Sequence, residues 1–422
     1  MPRRALRPVA AQGRLRSCAL SRGRLVALVL ALSLLEPVLS ACAGSSSLQE
    51  SSVTTSASQE ATAGPSTTLI DDFRNTDLGC GLTPTGSMEL QYARCFTLDY
   101  YEGGYQLLCL ADGNRYLIVP EGAQAPEGLA EDIMVLAQPV GDIYLVASDT
   151  MCLFEALDAL DRISVSGIAR DDWYLAAARE AMDEGRIVYG GKYRAPDYEL
   201  LVSRGVRLAI ESTMINHTPD VREKLIELGI PVFVELSSYE SEPLGRAEWI
   251  RVYGALLGAD ELAQQVFGEQ VAELSSITEP PSGKTVAFFY LNSNGAAVVR
   301  RPGDYVTKMI DQAGGTYVFS DLEEATLGAS SMTLSMERFY ATAKDADVII
   351  YNSSIDDSVG SIADLLEKNE LLADFKAVQT GEVWVTDQNI YQQMLQAGGI
   401  IADLNRVFCG ATGDLAYLRQ LS

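Results

Sequence analysis

Val206-Arg207-Leu208-Ala209-Ile210, then Pro219 to Leu228, then Gly229-Ile230-Pro231-Val232-Phe233-Val234-Glu235, is the stretch on which the fold turns. Its first piece has the length and composition of a buried strand. The second opens on proline, carries apolar residues at helical spacing and stops at glycine, the usual order of helix start and stop signals. The third is a strand again. Two strands joined by one helix over so short a span read as a βαβ unit and therefore as part of a parallel sheet.

Upstream, Ile143-Tyr144-Leu145-Val146-Ala147 reads as another buried strand and Met151 to Leu160 as a helix. Further back, from Gly86 to about Gly122, the pattern turns β-like. Phe96 to Tyr101 and Tyr105 to Leu110 flank a Glu102-Gly103-Gly104 turn, and Asp112-Gly113-Asn114 precedes Tyr116 to Val119. Downstream, residues 246–274 keep helical spacing through Trp249, Tyr253, Leu256, Leu262, Val266, Val271 and Leu274, with Gly258 as an expected interruption. Pro280-Pro281-Ser282-Gly283 ends that stretch. Alternation then restarts, with strands at Thr285 to Leu291, Val348 to Tyr351 and Val383 to Val385. Helices are expected at Tyr305 to Ala313, Met336 to Ala343 and from about Gln392.

The fold class that follows is α/β. Two lobes each hold a parallel-type sheet flanked by helices, a long helix bridges them, and a β-rich extension precedes the first lobe. The expected boundaries are 1–41 for a signal peptide, 42–85 for a lipidated cysteine and flexible tether, and 86–258 for the N-terminal lobe with its β-hairpin extension. The bridging helix takes 259–282 and the C-terminal lobe 283–422.

The N-terminal assignment rests on Arg3, Arg4, Arg7, Arg14, Arg16, Arg22 and Arg24, followed by an apolar run from Leu25 to Leu35. A positive flank, a short apolar segment and then small residues is the layout of a secretory signal. The run falls short of the roughly 18–20 residues that a membrane span needs. Leu39-Ser40-Ala41-Cys42 resembles a bacterial lipobox, which makes Cys42 the expected lipidation site. Residues 43–68 are rich in Ser, Thr, Ala and Gly and cannot bury enough apolar surface to offset ordering. Signal, anchor and tether imply an extracytoplasmic protein held at the cell membrane through its lipid alone.

Net charge of −25 argues against a nucleic-acid partner, which needs a basic surface. Enzymatic chemistry has little to stand on. His217 is the sole histidine and sits in Asn216-His217-Thr218-Pro219, where a loop or capping role is expected, so a multi-histidine metal site is disfavoured. Gly283-Lys284-Thr285 resembles the end of a phosphate-binding loop, but Thr278 stands where the first glycine belongs and a strand follows instead of a helix. No catalytic residue, cofactor or metal site is expected. Beyond Cys42 lie Cys80, Cys95, Cys109, Cys152 and Cys409, an odd number. Cys95 and Cys109 flank the glycine turn and could pair across a hairpin, or stay as buried thiols.

Three runs then carry a resemblance: Tyr198-Glu199-Leu200-Leu201 to Ala209-Ile210, Gly229 to Val232, and Glu242-Pro243-Leu244-Gly245-Arg246-Ala247-Glu248-Trp249-Ile250. Arg300-Arg301-Pro302-Gly303-Asp304-Tyr305, Met309-Ile310 and Ala313-Gly314-Gly315 extend it. In this order, over residues 86–410, they resemble the solute-binding proteins of siderophore, haem and cobalamin ABC importers. The resemblance implies a monomer of two α/β lobes with a stiff helical bridge and a cleft. The partners it implies are an ABC permease with its ATPase and a small-molecule ligand: an iron chelate, haem or a cobamide. A binder of another solute, or a sensory or adhesive lipoprotein reusing the fold, is the alternative.

The family docks to its permease through one glutamate on each lobe, and the matching positions are Glu199 and Glu337. Each lies in the first turn of an expected helix, after Pro196-Asp197-Tyr198 and Leu334-Ser335-Met336, where carboxylates are also favoured by the helix dipole. The family's ligand contacts come from loops at the C-terminal ends of strands, as in open α/β sheets generally. In the first lobe this points to Ser148, Asp149, Thr150 and Met151, to Lys192 and Tyr193, to Glu211, Ser212, Thr213 and Met214, and to Ser237, Ser238 and Tyr239. In the second it points to Asn292 and Ser293, to Arg300 and Arg301, to Asn352 and Ser353, and to Tyr391. Aromatic rings beside Arg or Lys suit an anionic, partly apolar chelate.

Overall fold

The computed structural model describes residues 73–277, 280–326, 329–410 and 415–422, all within one compact unit, Glu60–Ser422. The expected signal peptide, Cys42 and the tether up to residue 72 lie outside the described residues. The remainder of the expected tether is not loose chain. Leu78 is 3% exposed and packs with Phe73, Cys80 and Leu82 against Leu107, Leu117 and Val119. Leucine and phenylalanine interspersed with polar residues gave this segment enough apolar surface to dock.

Five strands form the extension: β1 (Pro84–Ser87), β2 (Phe96–Tyr101), β3 (Gln106–Leu110), β4 (Arg115–Val119) and β5 (Ile133–Ala137). They pair in sequence order, antiparallel until β5, which lies parallel to β4 after the Pro/Gly-rich crossover. Thr97 pairs with Cys109, while the Cys95 carbonyl accepts from Ala111 N. The two cysteines are therefore out of register for a bridge, and the five described cysteines are free.

The N-terminal lobe is built on β6 (Ile143–Leu145), β7 (Ile163–Ser166), β8 (Val188–Tyr189), β9 (Leu208–Ser212) and β10 (Val232–Glu235). Their order is β10-β9-β6-β7-β8, all parallel. The connecting helices include Tyr198–Ser203, capped by the Asp197 side chain on Leu200 N, and Pro219–Glu227, which follows a 3-10 turn carrying the exposed His217.

The C-terminal lobe comprises β11 (Thr285–Leu291), β12 (Ala297–Arg300), β13 (Thr316–Tyr317), β14 (Ser331–Leu334), β15 (Val348–Tyr351), β16 (Val383–Thr386) and β17 (Leu418–Gln420). Its sheet runs β14-β12-β11-β15-β16-β17, with β13 pairing β11 off the path. The central β11-β15-β16 strands are parallel, and β12, β14 and β17 join antiparallel.

The helical stretch expected over 246–274, with its interruption at Gly258, is three helices: Pro243–Glu248, Ile250–Leu257 and Asp260–Ser275. Gly258 takes the left-handed conformation at φ 72°, ends the second helix and re-aims the chain. The bridge between lobes is the third, shorter than 259–282. It buries Ala263, Phe267 and Gln270, and Leu274 touches the cores of both lobes. The chain also returns to the first lobe late. Met394, Leu395 and Ala397 belong to the N-terminal core, whereas Ile390 and Ile400 belong to the C-terminal one.

Candidate functional site

The C-terminal ends of the parallel strands of the first lobe open on a cavity of about 560 Å³, within the range of small-molecule sites. Val146, Ser148 and Asp149 follow β6, and Gly167, Ile168 and Asp172 follow β7. Lys192 and Tyr193 follow β8. Their loop is fixed by Gly191, whose φ is 86° and whose position leaves no room for a side chain: a Cβ there would lie 2.4 Å from the Ala195 carbonyl oxygen. Tyr144 Oη, donating to the Gly191 carbonyl at 2.7 Å, holds the same loop from below. Ser212, Thr213 and Met214 follow β9, and Ser238 follows β10.

The opposite wall comes from Tyr305 and Met309 of the second-lobe helix Tyr305–Gln312 and from the stretch that passes between the two cores, the segment 390–394 with Ala397 and Ile400 of the helix Ala397–Phe408. Three contacts hold the walls together. The Arg246 guanidinium lies 3.6 Å from the centre of the Tyr305 ring. Lys308 Nζ pairs with Glu242 at 2.5 Å. The Gln392 side chain donates to the Asp172 carbonyl at 2.8 Å and accepts from Tyr174 N at 2.9 Å.

Of the residues expected at the site, Ser148, Asp149, Lys192, Tyr193, Ser212, Thr213, Met214, Ser238 and Tyr391 line this cavity. The others do not reach it, for identifiable reasons. Thr150 is fully buried and donates to the Ala147 carbonyl at 2.8 Å, and Met151 beside it enters the core. Glu211 is fully buried on the sheet face shared with Tyr144. Tyr239 packs on the N-terminal core, and the Ser237 side chain lies wholly beneath the surface. Asn292 turns inward to accept from Asn294 N and Ala296 N in the β11–β12 turn, which leaves its neighbour Ser293 exposed there. Arg301 pairs with Glu323 at 3.2 Å.

Arg300 and Asn352 stand one layer behind the wall. Arg300 Nη2 donates to Tyr391 Oη at 2.6 Å and Asn352 Nδ2 donates to the same oxygen at 2.8 Å. They hold the ring of Tyr391 from behind, and Ser353, bonded to Thr386, is buried alongside. Of the basic residues expected beside aromatic rings, Arg300 and Arg301 do not line this cavity, whereas Lys192 does.

The contributions of Gly167, Ile168 and Asp172 were missed because β7 was not read as a strand. Its alternation, Ile163-Ser164-Val165-Ser166, was the available signal. Arg246, Tyr305 and Met309 stand in the runs that carry the resemblance, but it is tertiary packing that brings them to the cavity together with Gln392, Met394 and Ile400.

Comparison with known proteins agrees with the two-lobed fold. The periplasmic binding protein family model matches residues 147–390. An uncharacterized lipoprotein of Methanocaldococcus jannaschii is 26% identical over 343 residues, which cover 75% of this chain and 80% of the relative. The petrobactin-binding protein of Bacillus subtilis superposes with a TM-score of 0.53 at 12% identity, over 70% of this chain and 95% of that one. The periplasmic haem-binding protein of Vibrio cholerae gives 0.52 at 19% identity, over 63% and 97%. At such identities the two structures speak to the fold.

Proposed function

The chain belongs to the periplasmic binding protein family, and from that premise we propose that it is the lipid-anchored receptor of an ABC importer for an iron chelate, haem or a cobamide. The family's members are non-enzymatic solute binders, and so is this chain. The observation that carries the proposal is the cavity between the lobes, walled by Ile168, Met214, Met309, Ile400 and three tyrosines, with Asp149, Lys192 and Arg246 among them. A mostly apolar wall with a few charged groups suits a chelate that hides its metal inside an organic shell. Relatives of the same fold that bind petrobactin and haem support this class of solute. The Cys42 lipobox and the lipoprotein relative support the anchor.

The proposal is tested by melting the purified protein with ferric siderophores, haem and cobamides. A true ligand at about 100 times its dissociation constant adds about 2.7 kcal/mol of stability and raises the melting temperature. No shift with any member of the three classes contradicts the proposal.

Delivery requires a permease-facing surface. Glu199 and Glu337 are both exposed, each in the first turn of a helix capped by the preceding Asp197 or Ser335. We assign them to docking against permease arginines, where charge sets register and orientation. Reversing both, Glu199→Arg with Glu337→Arg, is expected to abolish uptake in cells while ligand affinity in vitro stays within about two-fold, since neither residue lines the cavity. Uptake that survives the double reversal removes this assignment.

A further inference from the structure

Asp149 is the cavity group whose chemistry is least satisfied. It lines the cavity, yet among the described residues its carboxylate has one side-chain partner, Ser237 Oγ at 3.3 Å, and no ion pair. The nearby cation is committed elsewhere: Arg246 donates Nε to the Glu240 carbonyl at 3.1 Å and Nη2 to the Ser238 carbonyl at 2.7 Å, and its face is covered by Tyr305. Lys192 is exposed to solvent on the same wall.

Behind Asp149 lies a second carboxyl. Glu235 is 1% exposed and accepts from Ser237 N at 2.9 Å and Ser237 Oγ at 2.8 Å. The Ser237 hydroxyl has one proton to give and three acceptors around it, counting Met394 Sδ at 3.3 Å. The remaining groups that face the pair are Tyr253, Cys152 and Cys95, all neutral, and the Arg246 charge. The Tyr253 hydroxyl is fully buried and meets no geometric hydrogen-bond partner among the described residues. Burial pushes both carboxyls up, and Asp149 pushes Glu235 further. Two like charges in so enclosed a place do not both ionise, so the pair retains a proton that belongs to it jointly.

We propose that Asp149 receives a cationic arm of the solute, of the alkylammonium class, and that seating this arm expels the proton shared with Glu235. The O–H bond of the pair breaks, its proton passes to solvent, and the ammonium takes over the charge balance. The inference rests on the cavity being the solute site.

The test is calorimetric titration at neutral pH with three ferric complexes: ferrioxamine B, which has a free ammonium arm; ferrichrome, which is neutral; and ferric enterobactin, which is anionic. Each is run in phosphate and in Tris, whose different ionisation heats reveal proton release. Ferrioxamine B is expected to bind about ten-fold or more tighter than the others, with a buffer-dependent heat. Asp149→Asn is expected to weaken it about ten-fold and remove the buffer dependence, and Glu235→Gln to remove the buffer dependence while the ferrioxamine preference persists. Melting of the unliganded variants checks that each is folded. Tighter binding of ferric enterobactin or haem, or an unchanged preference in Asp149→Asn, overturns the inference and leaves the cavity as the solute site. Failure of every complex, haem and cobamides included, removes both.

Discussion

Glu248→Ala is expected to destabilise the folded chain by about 3–5 kcal/mol, the range for stranding the partners of a buried charge. Glu248 is fully buried in the helix Pro243–Glu248. Its carboxylate accepts from Gln91 N at 3.0 Å, Tyr92 N at 2.8 Å and Ala93 N at 2.8 Å, and pairs with Arg251 at 3.1 Å. Glu240 continues the pattern, accepting from Arg94 N, Cys95 N and Trp249 Nε1. The backbone amides of residues 91–95 thus end on two carboxylates about 150 positions away in sequence, and these tie the extension to the first lobe. Alanine leaves the amides without acceptors and Arg251 without its partner. Each stranded buried group costs about 1–3 kcal/mol. Urea unfolding of the wild type, Glu248→Ala and Glu248→Gln measures it. Glutamine keeps one acceptor oxygen and is expected to fall between the two, and a loss below about 1 kcal/mol in the alanine variant contradicts the argument.

The second large effect belongs to Glu211. Among the described residues neither of its oxygens has a hydrogen-bond partner, and burial pushes its carboxyl up to about 8. Tyr144 and Tyr198 are the titratable groups near it, both neutral in this range. An unfolded glutamate ionises near about 4.3. Between the two values the unfolded chain gives up its proton while the folded chain retains it. Stability contributed by the protonated group is therefore whole at acid pH and lost as pH rises towards 8, at about 1.4 kcal/mol per pH unit and about 5 kcal/mol in all. Glu211→Gln carries no such slope. Urea unfolding at acid, neutral and mildly alkaline pH should show the variant gaining on the wild type as pH rises. Parallel stability curves would mean that Glu211 ionises normally in the folded chain.

Both groups show where sequence reading stops. Thr285 to Leu291 and Met336 to Ala343 were legible because strand length, apolar content and caps agree there with the final packing. The βαβ unit around Val206 to Glu235 was legible for the same reason. Nothing local distinguishes Glu248, which ties down a distant loop, from the exposed Glu199, since both are helical glutamates. The candidate site was half legible. The rule of strand ends found the first-lobe wall, because loops after parallel strands must emerge at one edge of the sheet. It failed for Arg300, whose direction is set by Tyr391, 91 positions later. It also failed for the segment 390–400, which crosses back into the first lobe because Met394 and Leu395 find a core there.

The central claim is that the cavity between the lobes is where the solute sits. Ala397 is 5% exposed, opens the last long helix and faces that cavity. An equilibrium titration of the wild type and Ala397→Trp, with the complex that gives the largest thermal shift, measures the claim directly. One binding site per chain in the wild type, weakened about 100-fold or more when the indole fills the space, is the result predicted. Equal affinity in the two proteins would place the solute elsewhere and contradict the account.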